Sequence, residues 1–558
     1  MIIQLIAVNC RYSHSCLALF YVRQELERHL PKAQTKIRQF TINDPYYPTL
    51  LRISEPETTV FFFSVYIWNH GYLQRLLTDL HQLRPQTPIV LGGPQALVLR
   101  QALNFRPTVV EGEIEGVGTG FYTDLQDSRL QIDYQGTAGS PFRSPYKRDD
   151  FRRQLKNRNL YYESSRGCPF SCSYCLSSTS RGVVNRDLRE TRKELEAIMR
   201  HQPRIIRFVD RTFNADAERS LNIWRFLSAS HAENPATTFH FEIAPGLFND
   251  EMFEFLEGLP TGLFQFEIGI QSTNHETLKA VNRVMDFQKT SANIRRLRAM
   301  ANIHLHIDLI LGLPHDTRQT FGQSLNDVFA MGPHYIQMGL LKVLPGTAIH
   351  RRRQEFGLIS TALPPYEIMA TRWLKDKELS RLFWLGECFE AFHNNRFFST
   401  FFNYLRQSGE DIFLFFSDLS DFCQKRGFSQ LAKTQGLLTE TLVNFTARHS
   451  RSALIKEILL YDWLHAGGRT PPSCLTADMK GARDYLWHHL PDEVEGLFNQ
   501  RQRHAFFKKS IFQRFSIKTL KFAGHNIDST RLEAHAAFLP RISGLLKHQD
   551  TRIILTTS

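Results

Sequence analysis

Long apolar runs are missing from this chain. The stretch 60–68 is apolar but stops at Asn69-His70-Gly71, far short of the ~20 residues a membrane-spanning helix needs. No membrane span is expected. Met1 leads straight into Ile2-Ile3-Gln4-Leu5 with no basic segment ahead of it, which is not the pattern of a secretory leader. Cysteine is scarce, with eight in 558 residues and three of those clustered. That excludes a disulfide scaffold and suggests a reducing, cytoplasmic setting. No short-period repeat or low-complexity tract is present, so solenoid and compositionally disordered classes are excluded. The hydrophobic fraction of 42% is that of an ordinary globular protein, and the length allows two to four domains.

The cluster is Cys168-Pro169-Phe170-Ser171-Cys172-Ser173-Tyr174-Cys175, a C-x3-C-x2-C frame just after Gly167. A four-cysteine zinc site needs a further thiolate nearby, usually from a second C-x2-C pair. None follows, since the next cysteine is Cys388. Three thiolates on one short loop suit a [4Fe–4S] cluster with one iron left open for a small ligand. A structural metal knuckle is the plainer alternative. Cys10, Cys16, Cys388, Cys423 and Cys474 read as ordinary thiols.

The frame, with an aromatic before its last cysteine, resembles the signature of the radical S-adenosylmethionine (SAM) enzymes. The resemblance implies that SAM chelates the open iron through its amino and carboxylate groups. The reduced cluster then breaks a C–S bond of SAM, giving methionine and a 5′-deoxyadenosyl radical. It also implies an electron donor such as flavodoxin or ferredoxin.

The first part of the chain alternates short apolar strands with helical patterns, the signature of an open parallel sheet. Strands are expected at 2–9, 35–41, 59–66, 88–91 and 109–110, with helices at 15–29 and 71–83. Residues 136–159, with Gly136, Gly139, Pro141 and Pro145, read as a linker. A second block carries strands at 160–164, 204–209, 237–243, 263–270, 304–311 and 335–342. Six β/α repeats are too few for a closed eight-stranded barrel. The fold class expected is therefore α/β. It comprises an open Rossmann-like sheet (1–135), the linker (136–159), a partial (β/α)6 TIM-type barrel (160–360) and a mainly α-helical C-terminal domain (364–558).

In β/α barrels ligands sit at the carboxyl ends of the strands, and polar groups gather there in this sequence. The series Asp210 to Asn214, Glu242, Glu267 to Gln271, Asp308 and Leu311-Gly312 resembles the family's strand-by-strand SAM motifs. By that resemblance Glu267 and Gln271 lie near the ribose and methionine parts of SAM, Asp210 and Asn214 near its amino group, and Leu311, Gly312 and Tyr174 near adenine. Relatives commonly have Gly-Glu where this chain has His315-Asp316.

The N-terminal block resembles the cobalamin-binding module that precedes many radical SAM cores. The residues that carry this are Ser64-Val65-Tyr66-Ile67-Trp68-Asn69, Gly92-Gly93-Pro94 and Glu111-Gly112-Glu113. Glycines at strand ends let backbone approach a bulky ligand. The Asp-x-His-x-x-Gly loop of methionine synthase is absent. In its place stands Asn9-Cys10-Arg11-Tyr12-Ser13-His14, where His14 could take the axial place by position or remain an ordinary loop histidine. Cobalamin-dependent radical SAM proteins also include lower axial sites without histidine, so the resemblance stands, with Trp68, Asn69 and His70 the candidates beneath the corrin. Trp68-Asn69 and Gly92-Gly93 are expected to share one cavity with Cys172, Glu267 and Asp308.

Residues 364–558 resemble the DUF4080-type tail of a subgroup of B12-binding radical SAM proteins, a name that carries no activity. The expected function is reductive cleavage of SAM, with cobalamin-dependent C-methylation, rearrangement or ring formation on an unknown substrate. Two alternatives stand beside it. One is a tRNA or protein methylthiotransferase. The other is a nucleic-acid-binding iron–sulfur protein without turnover, suggested by the net charge of +13. Basic residues interleaved with Phe506, Phe507, Phe512 and Phe515 could form a single-strand platform, or a buried aromatic face with a solvated basic edge.

Overall fold

The structure is a computed structural model, and it describes residues 1–179, 182–232, 236–489, 507–508, 510–527, 533–539 and 552–557. The chain divides into two compact units. The first comprises Met1–Gly269, Leu278–Asn293 and Leu341–Arg372, and the second Ile270–Thr277, Ile294–Leu340 and Trp373–Ser558.

The first unit opens with strands β1 (Ile2–Asn9), β2 (Gln34–Thr41), β3 (Val60–Ser64), β4 (Ile89–Gly92), β5 (Thr108–Glu111) and β6 (Asp133–Gln135). They form one sheet in the order β2-β1-β3-β4-β5-β6, with every pairing parallel. The near-continuous apolar runs of β1 and β3 follow from burial on both faces. Alternate residues serve opposite cores: Ile6, Val8, Phe61 and Phe63 pack on one side, and Ile3, Leu5, Ala7 and Phe62 on the other. The order reverses at β1, whose neighbours are β2 and β3. That is the topological switch point at which open α/β sheets take ligands.

The same unit continues with β7 (Leu160–Tyr162), β8 (Ser165–Cys168), β9 (Gly182–Asn185), β10 (Ile205–Phe208), β11 (Thr238–Glu242) and β12 (Phe264–Gln271). Strands β8 and β9 form an antiparallel hairpin. Parallel pairing links β7 to β10, β10 to β11 and β11 to β12. Behind these strands Phe208, Phe213, Trp224, Phe241, Phe264 and Phe266 interlock, with ring centroids 4.4–6.2 Å apart. The second unit carries the parallel pair β13 (His304–Leu311) and β14 (Tyr335–Leu340), so all six strands expected of this block are present. A short antiparallel pair, β15 (Ile359–Ser360) and β16 (Ile368–Ala370), closes the first unit.

Helices dominate the second unit from Asp376 to His488. Asp462 accepts hydrogen bonds from the Thr400 and Phe401 backbone amides at 3.0 and 2.9 Å, capping the helix Ser399–Gln407 from a distant helix. The sequence reading missed a three-stranded antiparallel sheet near the end: β17 (Ile511–Ser516), β18 (Glu533–Leu539) and β19 (Arg552–Thr557). It also missed the helix Tyr46–Ile53, where Pro48 falls in the first turn and is tolerated there. Phe507, Phe512 and Phe515 are buried, so they cannot stack on nucleic-acid bases. The buried aromatic face with a basic edge, exposed at Arg514, Lys518 and Lys521, is what the structure has. Arg501, Arg503, Phe506 and Lys509 lie outside the described residues. Among the described residues no helix is long and apolar enough to cross a membrane.

Trp224 is fully buried at the centre of the aromatic cluster. Trp224→Ala should cost about 3–5 kcal/mol, read as a lower thermal midpoint than that of an exposed-site control such as Trp384→Ala.

Candidate functional site

The cysteine loop is held by backbone geometry that only glycine permits. Gly167 has φ +92°, and a Cβ there would lie 2.1 Å from the Gly182 carbonyl oxygen across the β8–β9 hairpin. Beyond the hairpin, Ser173 N donates to Val281 O at 2.8 Å, Ile349 N donates to Ser173 O at 2.9 Å, and the Asn282 amide donates to Ser171 Oγ at 2.6 Å. Cys175 N closes a tight turn on Cys172 O at 3.1 Å. Cys172 is buried, while Cys168 and Cys175 are partly exposed. Among the described residues no three His, Cys, Asp or Glu side chains converge closely enough to hold one metal ion, so the three thiols share a fixed loop without meeting at a point.

Sequence reasoning missed Arg283. Its Nη1 reaches Cys172 Sγ at 3.5 Å and the Tyr174 hydroxyl at 3.3 Å, and its Nη2 donates to Gly269 O. Nε is buried with no acceptor. A buried cation with a spare donor beside a thiol calls for an anion, and a cluster bound by thiolates supplies one. Burial pushes the Tyr174 phenol up, against the pull of Arg283. No local pattern in the sequence marks Arg283; only the fold brings it to the loop.

Strand ends supply the next layer. Period-two alternation places Glu267, Gly269 and Gln271 on one half-buried face of β12. Gln271 ends the strand at φ +73° with its Oε1 buried and unbonded, a strained residue with an acceptor to spare. Glu242 and Glu267 are register partners. Such adjacent carboxylates are tolerable because Arg211 Nη1 lies 3.7 Å from Glu242 and His240 Nε2 lies 3.0 Å from Glu267. In the second unit Asp308 faces His306 at 3.0 Å. Leu311 points into the core, and Gly312 has φ +87°.

Two expected contacts are committed elsewhere. Asp210 is buried and accepts from Ser164 N at 3.0 Å, Ser164 Oγ at 2.5 Å and Ser165 Oγ at 2.7 Å. Burial raises its carboxyl above the usual range, and these donors counter the rise. Asn214 exchanges both its amide groups with the Ala244 backbone, at 2.8 and 2.9 Å. Both side chains position the strand ends around the loop.

At the ligand edge of the N-terminal sheet lies a cavity of about 490 Å³, a size typical of small-molecule sites. One wall is Ser64, Tyr66, Gly92, Gly93 and Glu113; the other is Ser165, Arg166, Gly167, Ser177 and Arg211. A Cβ on Gly92 would meet nothing nearer than 3.8 Å, so glycine here keeps the crevice open. At Gly93, φ +102° and the Val65 oxygen 2.7 Å from a Cβ forbid a side chain. The expected partners Trp68 and Asn69 do not form this wall. Trp68 is exposed and stacks on Tyr66 at 4.4 Å. Asn69 is buried and ties together Val8 O, Ser64 O and Tyr66 N. Cys172 and Glu267 are likewise absent from the described lining, which the stem of the cysteine hairpin supplies instead. Asp308 belongs to the other unit, and Pro94 is exposed.

Arg166 joins the two walls. It pairs with Glu113 at 3.0 Å, Glu115 at 2.9 Å and Glu163 at 3.0 Å. Burial alone would weaken its basicity, but these carboxylates more than offset that and raise it. Beside the lining residue Ser64, the buried Cys16 thiol, pushed up by burial, donates to Ser64 Oγ at 3.4 Å. No histidine stands among the described lining residues. His14 bonds the Tyr161 hydroxyl instead, its basicity lowered by burial and by Arg207, and His70 is buried.

Residues 162–328 match the radical SAM superfamily. Residues 354–535 match a protein family of unknown function, DUF4080, so the chain carries a radical SAM domain followed in sequence by a DUF4080 region. It is 25% identical over 349 residues to the cobalamin-dependent radical SAM methyltransferase TokK of Streptomyces tokunonensis, covering 55% of this chain and 50% of that protein. It is also 25% identical over 333 residues to 2-(S-pantetheinyl)-carbapenam-3-carboxylate methyltransferase of Streptantibioticus cattleyicolor, covering 53% and 48%. The chain thus spans about half the length of these curated relatives. The fold is similar to that of the cobalamin-dependent SAM radical enzyme OxsB with aqua-cobalamin bound, at TM-score 0.56 and 14% identity over 85% of this chain and 82% of that one.

Arg283→Gln removes a positive charge beside Cys172. The midpoint potential of the reconstituted cluster should move negative by several tens of millivolts, since net charge and hydrogen bonds to sulfur set that potential. Redox titration followed by EPR checks it, and an unchanged potential would show that Arg283 does not act on the cluster.

Proposed function

We propose that this chain is a cobalamin-dependent radical SAM enzyme that methylates carbon, or carries out a related rearrangement or ring formation, on a small substrate. The observation that carries the reading is the cavity whose two walls are the glycine-bearing ends of the α/β sheet and the stem of the cysteine hairpin. In this reading residues 1–135 bind cobalamin, 136–159 link, 160–360 form the radical SAM core and 364–558 form a further domain. Cys168, Cys172 and Cys175 hold the [4Fe–4S] cluster, which requires the loop to draw its thiols together. Cluster, SAM and cobalamin when bound supply an electron, a 5′-deoxyadenosyl radical source and a methyl carrier.

The chain's own residues orient and enclose. Gly92 and Gly93 admit a bulky ligand to the sheet edge, and Ser64 offers it a hydroxyl. Arg283 holds charge balance at Cys172, and Glu242 and Glu267 of the same unit offer polar edges to SAM. None of the described residues lining this cavity is a histidine that would bind cobalt. The reductant is a small electron carrier of the flavodoxin or ferredoxin kind, and the setting is the cytoplasm. Burial of Cys16 in a hydrogen bond to Ser64 counts against a second cluster of the methylthiotransferase kind.

Anaerobic reconstitution should give about four irons per chain, the content of one [4Fe–4S] cluster, with one tightly bound corrin. The Cys168→Ala/Cys172→Ala/Cys175→Ala variant should lose the iron and all SAM cleavage. Cleavage that survives in it would refute the cluster assignment. Gly92→Trp fills the crevice and should abolish corrin absorbance while iron content stays unchanged. Corrin retained in full by that variant would place cobalamin elsewhere.

A further inference from the structure

The second unit contains a cavity of about 400 Å³ that owes nothing to the cysteine loop. Arg298, Arg396 and Arg406 all line it, together with His334, His393 and Thr400. Arg298 spends Nε on Gly332 O at 2.8 Å. Arg406 spends Nε on Phe329 O at 3.0 Å and Nη1 on Asn403 at 2.7 Å, with its guanidinium 4.8 Å over the Phe329 ring. These bonds fix two guanidinium planes while leaving their outer N–H groups available. Arg396 makes no side-chain hydrogen bond or ion pair among the described residues.

None of the three arginines is paired with a carboxylate among the described residues. Asp462 and Glu390, two acids of the same unit, are already engaged. Asp462 caps Thr400 and Phe401, and Glu390 takes the Tyr335 hydroxyl and the Asn394 amide. Burial and the charge of Arg298 bring Arg396 and Arg406 down to about 10, which still leaves both charged at neutral pH. His393 is pushed down to about 3, chiefly by burial, and stays neutral. Three like charges around one partly enclosed space are costly unless an anion joins them.

We propose that this cavity is a binding site for a small phosphate-bearing anion, a phosphate ester or diphosphate. Three guanidinium groups offer more donors than one carboxylate can accept, and planar guanidinium matches phosphate oxygens in pairs. The volume exceeds that of a bare ion and falls among small-molecule sites. Leu305 N donates to His334 Nδ1 at 3.0 Å, so the neutral imidazole of His334 carries its proton on Nε2 and adds one more donor. This site stands apart from the cobalamin reading, and either can fail without the other.

The test titrates the full chain with inorganic pyrophosphate by calorimetry and thermal melting, against sulfate and chloride at matched ionic strength. Wild type should bind one pyrophosphate and melt several degrees higher, beyond any effect of the matched salts. Arg396→Gln should weaken binding at least tenfold, and Arg396→Gln/Arg406→Gln should abolish it. Because Arg396 holds no partner among the described residues, the ligand-free single variant should melt at or above wild type as like-charge repulsion is relieved. Absence of a pyrophosphate-specific shift in wild type would overturn the proposal. So would an equal response in Arg396→Gln, or a ligand-free melting point for that variant several degrees lower.

Discussion

The guanidinium of Arg166 is the joint on which the first unit depends. It stands two residues before the first cysteine of the loop and contacts carboxylates from the end of β5 and from the stretch after β7. Phe142 and Tyr21 rings flank it at 4.1 and 5.0 Å. A buried arginine with three carboxylates around it is worth little as net stabilisation, yet breaking it strands charges and costs several kcal/mol. Its value is therefore positional. The ligand edge of the N-terminal sheet and the stem of the cysteine hairpin are locked face to face, and one cavity results.

That arrangement explains why polar residues here divide into two kinds. Asp210, Asn214 and Asn69 look like ligand contacts in sequence, yet each spends its hydrogen bonds on nearby backbone or, for Asp210, also on the Ser164 and Ser165 hydroxyls. They hold strand ends at fixed heights. Gln271, Arg283 and the glycines at 92 and 93 keep unspent donors, acceptors or space. Rigid support and open valence are separated residue by residue, as a preorganised site requires.

Much of this was legible in the sequence because parallel strands buried on both faces write themselves as apolar runs. The strands of both blocks lie within a few residues of their expected places, and the cysteine frame needs no fold to be read. The three-stranded sheet at 511–557 was not legible, since its antiparallel partners lie far apart in sequence and the first connection contains the helix Ile517–Phe522 rather than a short hairpin turn. Arg166 and Arg283 escaped notice because an arginine becomes a site residue only through long-range contacts. The cavity of Arg298, Arg396 and Arg406 draws on three separate helical and loop segments, with nothing in local spacing to join them. Trp68 and Asn69 were misplaced for a related reason. A polar or aromatic residue after a strand can turn inward to cap the sheet as readily as outward to a ligand.

The central claim is that cluster and corrin occupy one continuous space between the sheet edge and the cysteine hairpin. Electron paramagnetic resonance on protein holding both cob(II)alamin and the reduced cluster tests it most directly. The account predicts a spin–spin interaction that broadens or splits both signals and relaxes the cobalt centre faster than in protein lacking the cluster. Two unperturbed, independently relaxing spectra would contradict it.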